Sequence, residues 1–210
     1  MEEQFWQELW KKNEIAFHQP KANPLLVRHL PSLGLAAGAR VFVPLCGKSL
    51  DLHWLLAQGF RVAGAELSQM AVEQLFDELG MRPQVTVAGA LTRYAAPGIT
   101  IFQGNIFELS AELVGAVDAV YDRAALVALP DPMRTQYAEH LMVVTKSAPQ
   151  LLICFEYDQT LLTPPPFSIG EAEVRQRYKE VYSVELLERV EVKGGLKGIC
   201  PATEAAWALR

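Results

Sequence analysis

Long apolar runs are missing from this 210-residue chain. Hydrophobic residues make up 50% of it, yet no stretch approaches the roughly 18 consecutive apolar residues that a membrane-spanning helix requires. Cysteine is scarce: Cys46, Cys154 and Cys200 are odd in number and far apart, which excludes a disulfide framework and a CxxC zinc or redox site and leaves reduced thiols. Basic runs are also missing. The 19 Lys and Arg residues are scattered among 24 Asp and Glu, and the net charge of −5 gives no footprint for nucleic acid or an anionic membrane surface. The opening MEEQFWQELWKK begins with two acids and lacks the basic region and continuous apolar segment of a secretory signal, so a cytoplasmic protein is expected. No heptad pattern supports a coiled-coil dimer, and a monomer is expected. There is no internal repeat, low-complexity tract or linker. A chain of this length buries roughly 70% of the surface its unfolded form exposes, enough for one domain over 1–210 without metal or disulfide support. A small-molecule ligand is the remaining expectation.

Strand-like and helix-like segments alternate along the chain, which predicts βαβ units and a largely parallel sheet. Strands are expected at 40–45, 61–66, 99–103 and 117–121, and the continuous apolar QLLICFEY at 150–157 reads as a central strand. Helices are expected at 49–58, ended by Gly59; at about 68–79, with Ser68 as N-cap and Val72, Leu75, Phe76 and Leu79 at helical spacing; at 132–145, with Pro132 in its first turn; and near 170–179. SVELLERV at 183–190 and AAWAL at 205–209 read as an antiparallel pair at the sheet edge. The prolines of TPPPF at 163–167 shape a loop inside the fold.

The turn after the first strand, PLCGKSLDL at 44–52, has a Gly-Lys-Ser that invites comparison with phosphate-binding loops. A Walker A loop needs a glycine five positions before the Gly-Lys, so that backbone amides converge on phosphate oxygens; here that position is Phe42, inside the strand. A dinucleotide fingerprint needs three glycines across the turn, and only Gly47 is present. Both phosphate readings fail. Glu66 stands at the end of the second strand, 19 positions after Gly47, where an acid in a nucleotide-binding sheet accepts hydrogen bonds from both ribose hydroxyls. A glycine turn and a strand-end acid without a phosphate cradle suit a nucleoside ligand lacking phosphates, with S-adenosylmethionine the leading candidate. The alternative is a merely structural turn beside a surface acid.

RVFVPLCGKSLDLHWLLAQGFRVAGAELSQMAVEQLF (40–76) closely resembles the thiopurine S-methyltransferase family, including its bacterial members. FHQPKANPLL (17–26), VYDRAALVALP (120–130) with MRTQYAEHL (133–141), and PPFSI (165–169) match in the same order, so that the resemblance spans about residues 5–180. It implies the class I methyltransferase fold, an α/β, Rossmann-like, mostly parallel seven-stranded sheet with an antiparallel last strand and helices on both faces. It also implies S-adenosylmethionine as cofactor, S-adenosylhomocysteine as product and a small-molecule thiol as substrate, with no metal.

By the same resemblance Trp10 belongs to an N-terminal lid over residues 1–24 that closes the cofactor site, with Phe17 helping to cover it. Leu45, Gly47 and Glu66 are cofactor contacts at the glycine turn and ribose, Asn105 and Ile106 line the adenine, and Arg123 lies between the methionine moiety and the substrate. Phe17 and His18 are further substrate-side candidates. Residue types fit these roles: a carboxylate is acceptor-only and takes two hydroxyl donors, whereas an apolar side chain covers a purine face. Plainer readings stand beside them. Trp10 with Phe5, Trp6 and Leu9 forms an apolar stripe at helical spacing, as core helices do. Lys48 reads as a solvated loop residue, and His18 as a partner for loop hydrogen bonds or a proton acceptor. Asp122 either pairs with Arg123, caps the next helix or serves as a secondary catalytic candidate. The implied reaction is an in-line attack of sulfur on the sulfonium methyl group, with Arg123 favouring the anionic sulfur. Selenium and tellurium compounds are further acceptors the resemblance suggests. The alternatives are a halide or thiol methyltransferase on the same fold, or a non-catalytic sensor of the cofactor.

Overall fold

The structure, a computed structural model, describes residues 3–15 and 18–210. Nine strands form one sheet: β1 (Arg40–Val43), β2 (Arg61–Glu66), β3 (Gln84–Ala88), β4 (Leu91–Ala96), β5 (Ile99–Gln103), β6 (Ala119–Arg123), β7 (Gln150–Tyr157), β8 (Val184–Glu191) and β9 (Ala202–Leu209). Among the described residues seven α-helices accompany them: α1 (Glu3–Lys11), α2 (Pro24–His29), α3 (Leu50–Ala57), α4 (Gln69–Glu78), α5 (Ala111–Val114), α6 (Asp131–Thr145) and α7 (Glu171–Tyr178). No helix among the described residues is long and apolar enough to cross a membrane.

The strand order is β3-β4-β5-β2-β1-β6-β7-β9-β8. The middle five, β5-β2-β1-β6-β7, run parallel, and an antiparallel pair extends each side. The chain leaves β1 toward β2 on one side and later returns to β6 on the other. The strand order therefore reverses at β1, and in open α/β sheets the crevice outside the carboxyl ends at such a point is where ligands bind.

Period-two alternation sends successive strand residues to opposite faces. Val41, Val43, Val62, Tyr121 and Leu151 pack with Leu25 and Leu26 of α2, Leu52 and Leu55 of α3, and Val72, Leu75 and Phe76 of α4. Phe42, Ala63, Phe102, Val120 and Leu152 pack on the other face with Tyr137, Leu141 and Val144 of α6 and Val174 and Tyr178 of α7. The helices begin where their caps dictate. Ser49 accepts from the Asp51 amide at 3.2 Å, and Ser68 from the Ala71 amide at 3.3 Å, each satisfying an orphan first-turn donor.

The expected α/β class holds, but the sheet has nine strands rather than seven. The two unforeseen strands are β3 and β4, which fold back on one another about Gly89, held at a φ of +66°. β3 lies at the sheet edge with Val85 and Val87 exposed, so it lacks the buried face by which strands announce themselves in sequence. The strand expected at 117–121 instead runs from Ala119 to Arg123. Asp118 is spent on accepting the Arg40 amide at 2.7 Å, which ties the start of β1 to the approach to β6. The SVELLERV and AAWAL segments do pair antiparallel, and β9 also pairs with β7.

One glycine couples the sheet to the turn after β1. A β-carbon at Gly64 would stand 2.8 Å from Ile101 Cδ1, 3.0 Å from Cys46 Sγ and 3.1 Å from the Val43 carbonyl oxygen. Gly64→Ala is therefore expected to lower the unfolding free energy by about 1–3 kcal/mol, the usual scale for overpacking. Urea denaturation measures it, and an unchanged midpoint would show that Cys46 can be displaced without strain.

Candidate active site

The carboxyl ends of β1, β2, β5 and β6 bring the sequence-predicted residues to one edge. After β1 the chain turns sharply through Pro44, Leu45, Cys46 and Gly47, with Leu45 at a φ of +44° and Gly47 at +53°. The left-handed region costs a non-glycine residue roughly 1–2 kcal/mol, so the surroundings must hold Leu45 there. They do so through β2: the Cys46 amide donates to the Ala65 carbonyl at 2.9 Å, and the Gly47 amide donates to Glu66 Oε2 at 2.8 Å. Glu66 Oε1 accepts from the Ser68 amide at 2.7 Å, so the same carboxylate braces the turn and the start of α4. Glu66 is buried, and burial pushes its pKa up against the pull of its backbone N–H partners. It is no surface acid.

The end of β5 is fastened to the same point, because the Gly104 amide donates to the Glu66 backbone carbonyl at 2.9 Å. Asn105 Oδ1 accepts from the Phe107 amide at 3.0 Å, starting a short 3-10 helix at Ile106–Glu108 whose first residue is buried. His140 of α6 meets the Ile106 carbonyl at 2.9 Å. Asn105 and Ile106 are thus held rigidly beside the glycine turn.

Arg123 is the last residue of β6, and Ala124 behind it takes a φ of +65°. Asp122 precedes it on the strand and so faces the other way. Its fully buried carboxylate accepts from Tyr137 Oη at 2.7 Å and from the Leu126 amide at 3.2 Å, anchoring the turn after β6. Of the alternatives open to Asp122, the structure places it as a cap on that turn. Burial raises its pKa to about 6. A carboxyl whose folded pKa exceeds its unfolded value prefers the proton in the fold, so its contribution is most favourable below about pH 4 and is lost as pH rises through 6. Relative to Asp122→Asn, the native protein is expected to lose about 3 kcal/mol of stability between pH 4 and 7. Parallel denaturation curves for the two proteins across that range would refute it.

The N-terminal segment lies over this edge. Trp10 of α1 is buried, and a β-carbon at Gly47 would stand 3.1 Å from its Cζ2, so the indole rests directly on the glycine turn. α1 itself packs against α4. His18 lies near Lys48, Arg123 and His53; burial first, and then Lys48, Arg123 and His53, lower its pKa, with Glu78 opposing. Phe17 lies outside the described residues. Lys48 is not a solvated loop residue: its Nζ pairs with Glu78 Oε1 at 2.7 Å and its side chain is only 14% exposed, pinning the turn to the end of α4.

Three residues on the face of Arg123 went unread in the sequence. Asp51, at the start of α3, accepts from the Asn23 amide at 2.7 Å and from Tyr121 Oη at 2.9 Å. The Asn23 side chain donates in turn to Glu204 Oε1 of β9 at 3.3 Å. The proline loop packs on the opposite face, that of Asp122 and Tyr137. Phe167 donates its amide to the Val127 carbonyl at 2.6 Å, and the Arg134 guanidinium lies 5.1 Å from the centre of its ring.

The sequence profile of the family described as Thiopurine S-methyltransferase matches residues 1–199. The chain belongs to the thiopurine S-methyltransferase family. A relative of that name from Xanthobacter autotrophicus is 58% identical over 210 residues, covering 100% of this chain and 99% of its own length. One from Gluconobacter oxydans is 51% identical over 203 residues, covering 97% and 92%. Among solved structures, the magnesium protoporphyrin IX methyltransferase of Synechocystis PCC 6803 with bound SAH aligns with a TM-score of 0.65 at 14% identity, covering 99% of each chain. A SAM-dependent methyltransferase from Anabaena variabilis aligns at 0.63 and 17%, covering 99% of this chain and 95% of its own. These likenesses confirm the expected methyltransferase fold. As a thiopurine S-methyltransferase family member, the chain is an S-adenosylmethionine-dependent S-methyltransferase. The acceptor set fits that cofactor, since Glu66 is held at the turn by the Gly47 and Ser68 amides and a carboxylate, being acceptor-only, can take ribose hydroxyl donors as well.

Proposed function

We propose that the protein methylates the sulfur of aromatic and heterocyclic thiols, thiopurines among them, and accepts soft selenium or tellurium nucleophiles by the same displacement. The observation that carries the reading is the fixed cation Arg123 at the carboxyl end of β6, on the edge where Glu66 braces the glycine turn. Bound at that edge, S-adenosylmethionine supplies a methyl group on a positively charged sulfur that leaves as a neutral thioether. Glu66 orients the ribose with its remaining lone pairs, Leu45 and Gly47 offer backbone at the turn, and Asn105 and Ile106 line the adenine. Arg123 holds the acceptor sulfur in its anionic form, and Phe17 and His18 border the acceptor. The names of the bacterial relatives support the acceptor class. A reducing, cytoplasmic setting accords with three buried, unpaired cysteines.

Residues 1–24 act as the lid in this reading, with Trp10 excluding water from the transfer. Lids are drawn from locally unstable elements that ligand binding stabilises. Amide exchange over residues 3–15 is expected to slow by about tenfold when S-adenosylhomocysteine is added. Equal exchange in both states would make α1 a plain core helix.

The decisive experiment is transfer of a radiolabelled methyl group from S-adenosylmethionine to a panel of aromatic thiols, heterocyclic thiols, a selenol and iodide. Transfer to the thiols supports the proposal. Transfer to iodide alone would make the protein a halide methyltransferase, and cofactor binding without transfer would make it a sensor.

A further inference from the structure

Arg123 and Glu204 approach one another from either side of β7. Arg123 is in register with Ile153 of β7, Ile153 with Ala206 of β9, and Phe155 with Glu204, so Glu204 stands one pleat closer to the carboxyl edge than the row of Arg123. Tyr121 and Ala206, two positions before Arg123 and two after Glu204, pack on the same face of the sheet, and alternation puts both charged residues on that face. Strands two apart are separated by roughly 10 Å, a distance that an Arg and a Glu side chain together span. Glu204 is oriented by a chain of hydrogen bonds, buried at Asp51 and half-buried at its end: Tyr121 and the Asn23 amide donate to Asp51, and the Asn23 side chain donates to Oε1 of Glu204. Its Oε2 accepts no hydrogen bond from the described residues. The other charged groups facing it are Arg123 from β6 and Asp51 from α3.

We propose that Glu204 is the proton acceptor for heterocyclic substrates that carry their hydrogen on a ring nitrogen, with Arg123 at the sulfur and Glu204 Oε2 at the adjacent N–H. The inference rests on the acceptor class proposed above. A thiol next to a ring nitrogen exists in water largely as the N–H thione, so its proton must be taken from nitrogen and not from sulfur. In the transfer, a sulfur lone pair forms the new S–CH3 bond, and the bond from methyl to sulfonium breaks with its electron pair going to the departing sulfur. The N–H bond pair restores the aromatic ring, the proton moves to Oε2, and it passes to solvent after the product leaves. Burial pushes the pKa of Glu204 up while Arg123 draws it down. A raised pKa makes the carboxylate a stronger proton acceptor than an exposed one. Glu204 and Asn23 lie 181 positions apart, which is why neither stands out in the sequence.

The test compares 2-mercaptopyrimidine, an N–H thione, with thiophenol, which has no ring nitrogen. In Glu204→Gln, kcat for 2-mercaptopyrimidine is expected to fall about a hundredfold while KM holds, because the amide oxygen still accepts the N–H hydrogen bond but takes no proton. Thiophenol turnover is expected to change less than about threefold. Binding gives a second readout. Calorimetry with protein saturated by S-adenosylhomocysteine is expected to show about tenfold weaker binding of 2-mercaptopyrimidine in Glu204→Ala, with thiophenol unaffected. Glu204→Asp keeps the charge on a shorter arm and is expected to lose activity only with the N–H acceptor. Equal losses for both acceptors would overturn the inference and make Glu204 a support for Arg123, and no loss for either would make it a bystander. Wild-type protein that methylates neither compound would instead overturn the acceptor class, and the inference with it.

Discussion

Glu66→Ala is expected to damage the protein twice, in its fold and in its affinity for cofactor. The carboxylate accepts the Gly47 amide at 2.8 Å and the Ser68 amide at 2.7 Å, and Glu66 and Ser68 are both buried. Removing it strands those donors and releases the turn in which Leu45 is held at positive φ. Stranded buried donors cost about 1–3 kcal/mol each, so a loss of about 3 kcal/mol in unfolding free energy is expected. Affinity for S-adenosylhomocysteine is expected to fall by roughly ten- to hundredfold, which corresponds to about 1.5–3 kcal/mol for hydrogen bonds to a charged acceptor. Glu66→Gln separates the two effects. The amide oxygen serves one backbone donor, but the NH2 group then faces the other, so stability falls by less than in the alanine variant. Urea denaturation and calorimetry on the same preparations measure both quantities. Full stability with lost affinity would mean that water replaces the carboxylate at the turn; lost stability with unchanged affinity would remove the ribose from the role of Glu66.

Much of this edge was legible because parallel α/β sheets place function at strand ends, and strand ends are marked by where apolar runs stop. RVFV followed by PLCGKS, and RVAGAE followed by LSQ, locate the glycine turn and Glu66 without any structure. β3 and β4 were not legible, since exposed valines on an edge strand carry no inward-facing pattern. The bounds of β6 slipped by two residues because Val117 and Asp118 resemble strand residues, and only the bond from the Arg40 amide to Asp118 shows that Asp118 precedes the strand. That slip matters at the site: neighbours on a strand face opposite sides, so placing both Asp122 and Arg123 on β6 separates them. Asn23, Asp51 and Glu204 escaped notice for a different reason. Their meaning lies in contacts between the two ends of the chain, and sequence periodicity reports only neighbours.

Turnover is expected to fall by about a hundred- to a thousandfold in Arg123→Ala, the scale seen when a preorganised donor to a developing or fixed anion is removed. Arg123 ends β6 on the face shared with Tyr121, while the positive φ of Ala124 turns the chain away behind it. Two roles compete for its guanidinium: binding the carboxylate of the cofactor, or holding the acceptor sulfur as an anion. Lysine keeps the charge but loses the planar bidentate fork, so Arg123→Lys distinguishes them. Weakened affinity for S-adenosylhomocysteine, with turnover retained at saturating cofactor, would assign Arg123 to the cofactor. Retained affinity, with turnover falling more for weakly acidic thiols than for thiols already ionised at the assay pH, would assign it to sulfur, because only the former need help to ionise. The second outcome is the one expected, since Glu204 faces the same space with an oxygen available for a substrate proton. Asp122 offers no competing explanation, its carboxylate being held by Tyr137 and the Leu126 amide on the opposite face. If Arg123→Ala changes neither cofactor affinity nor turnover for any thiol, its charge serves only to offset the half-buried Glu204, and the variant should then lose stability alone.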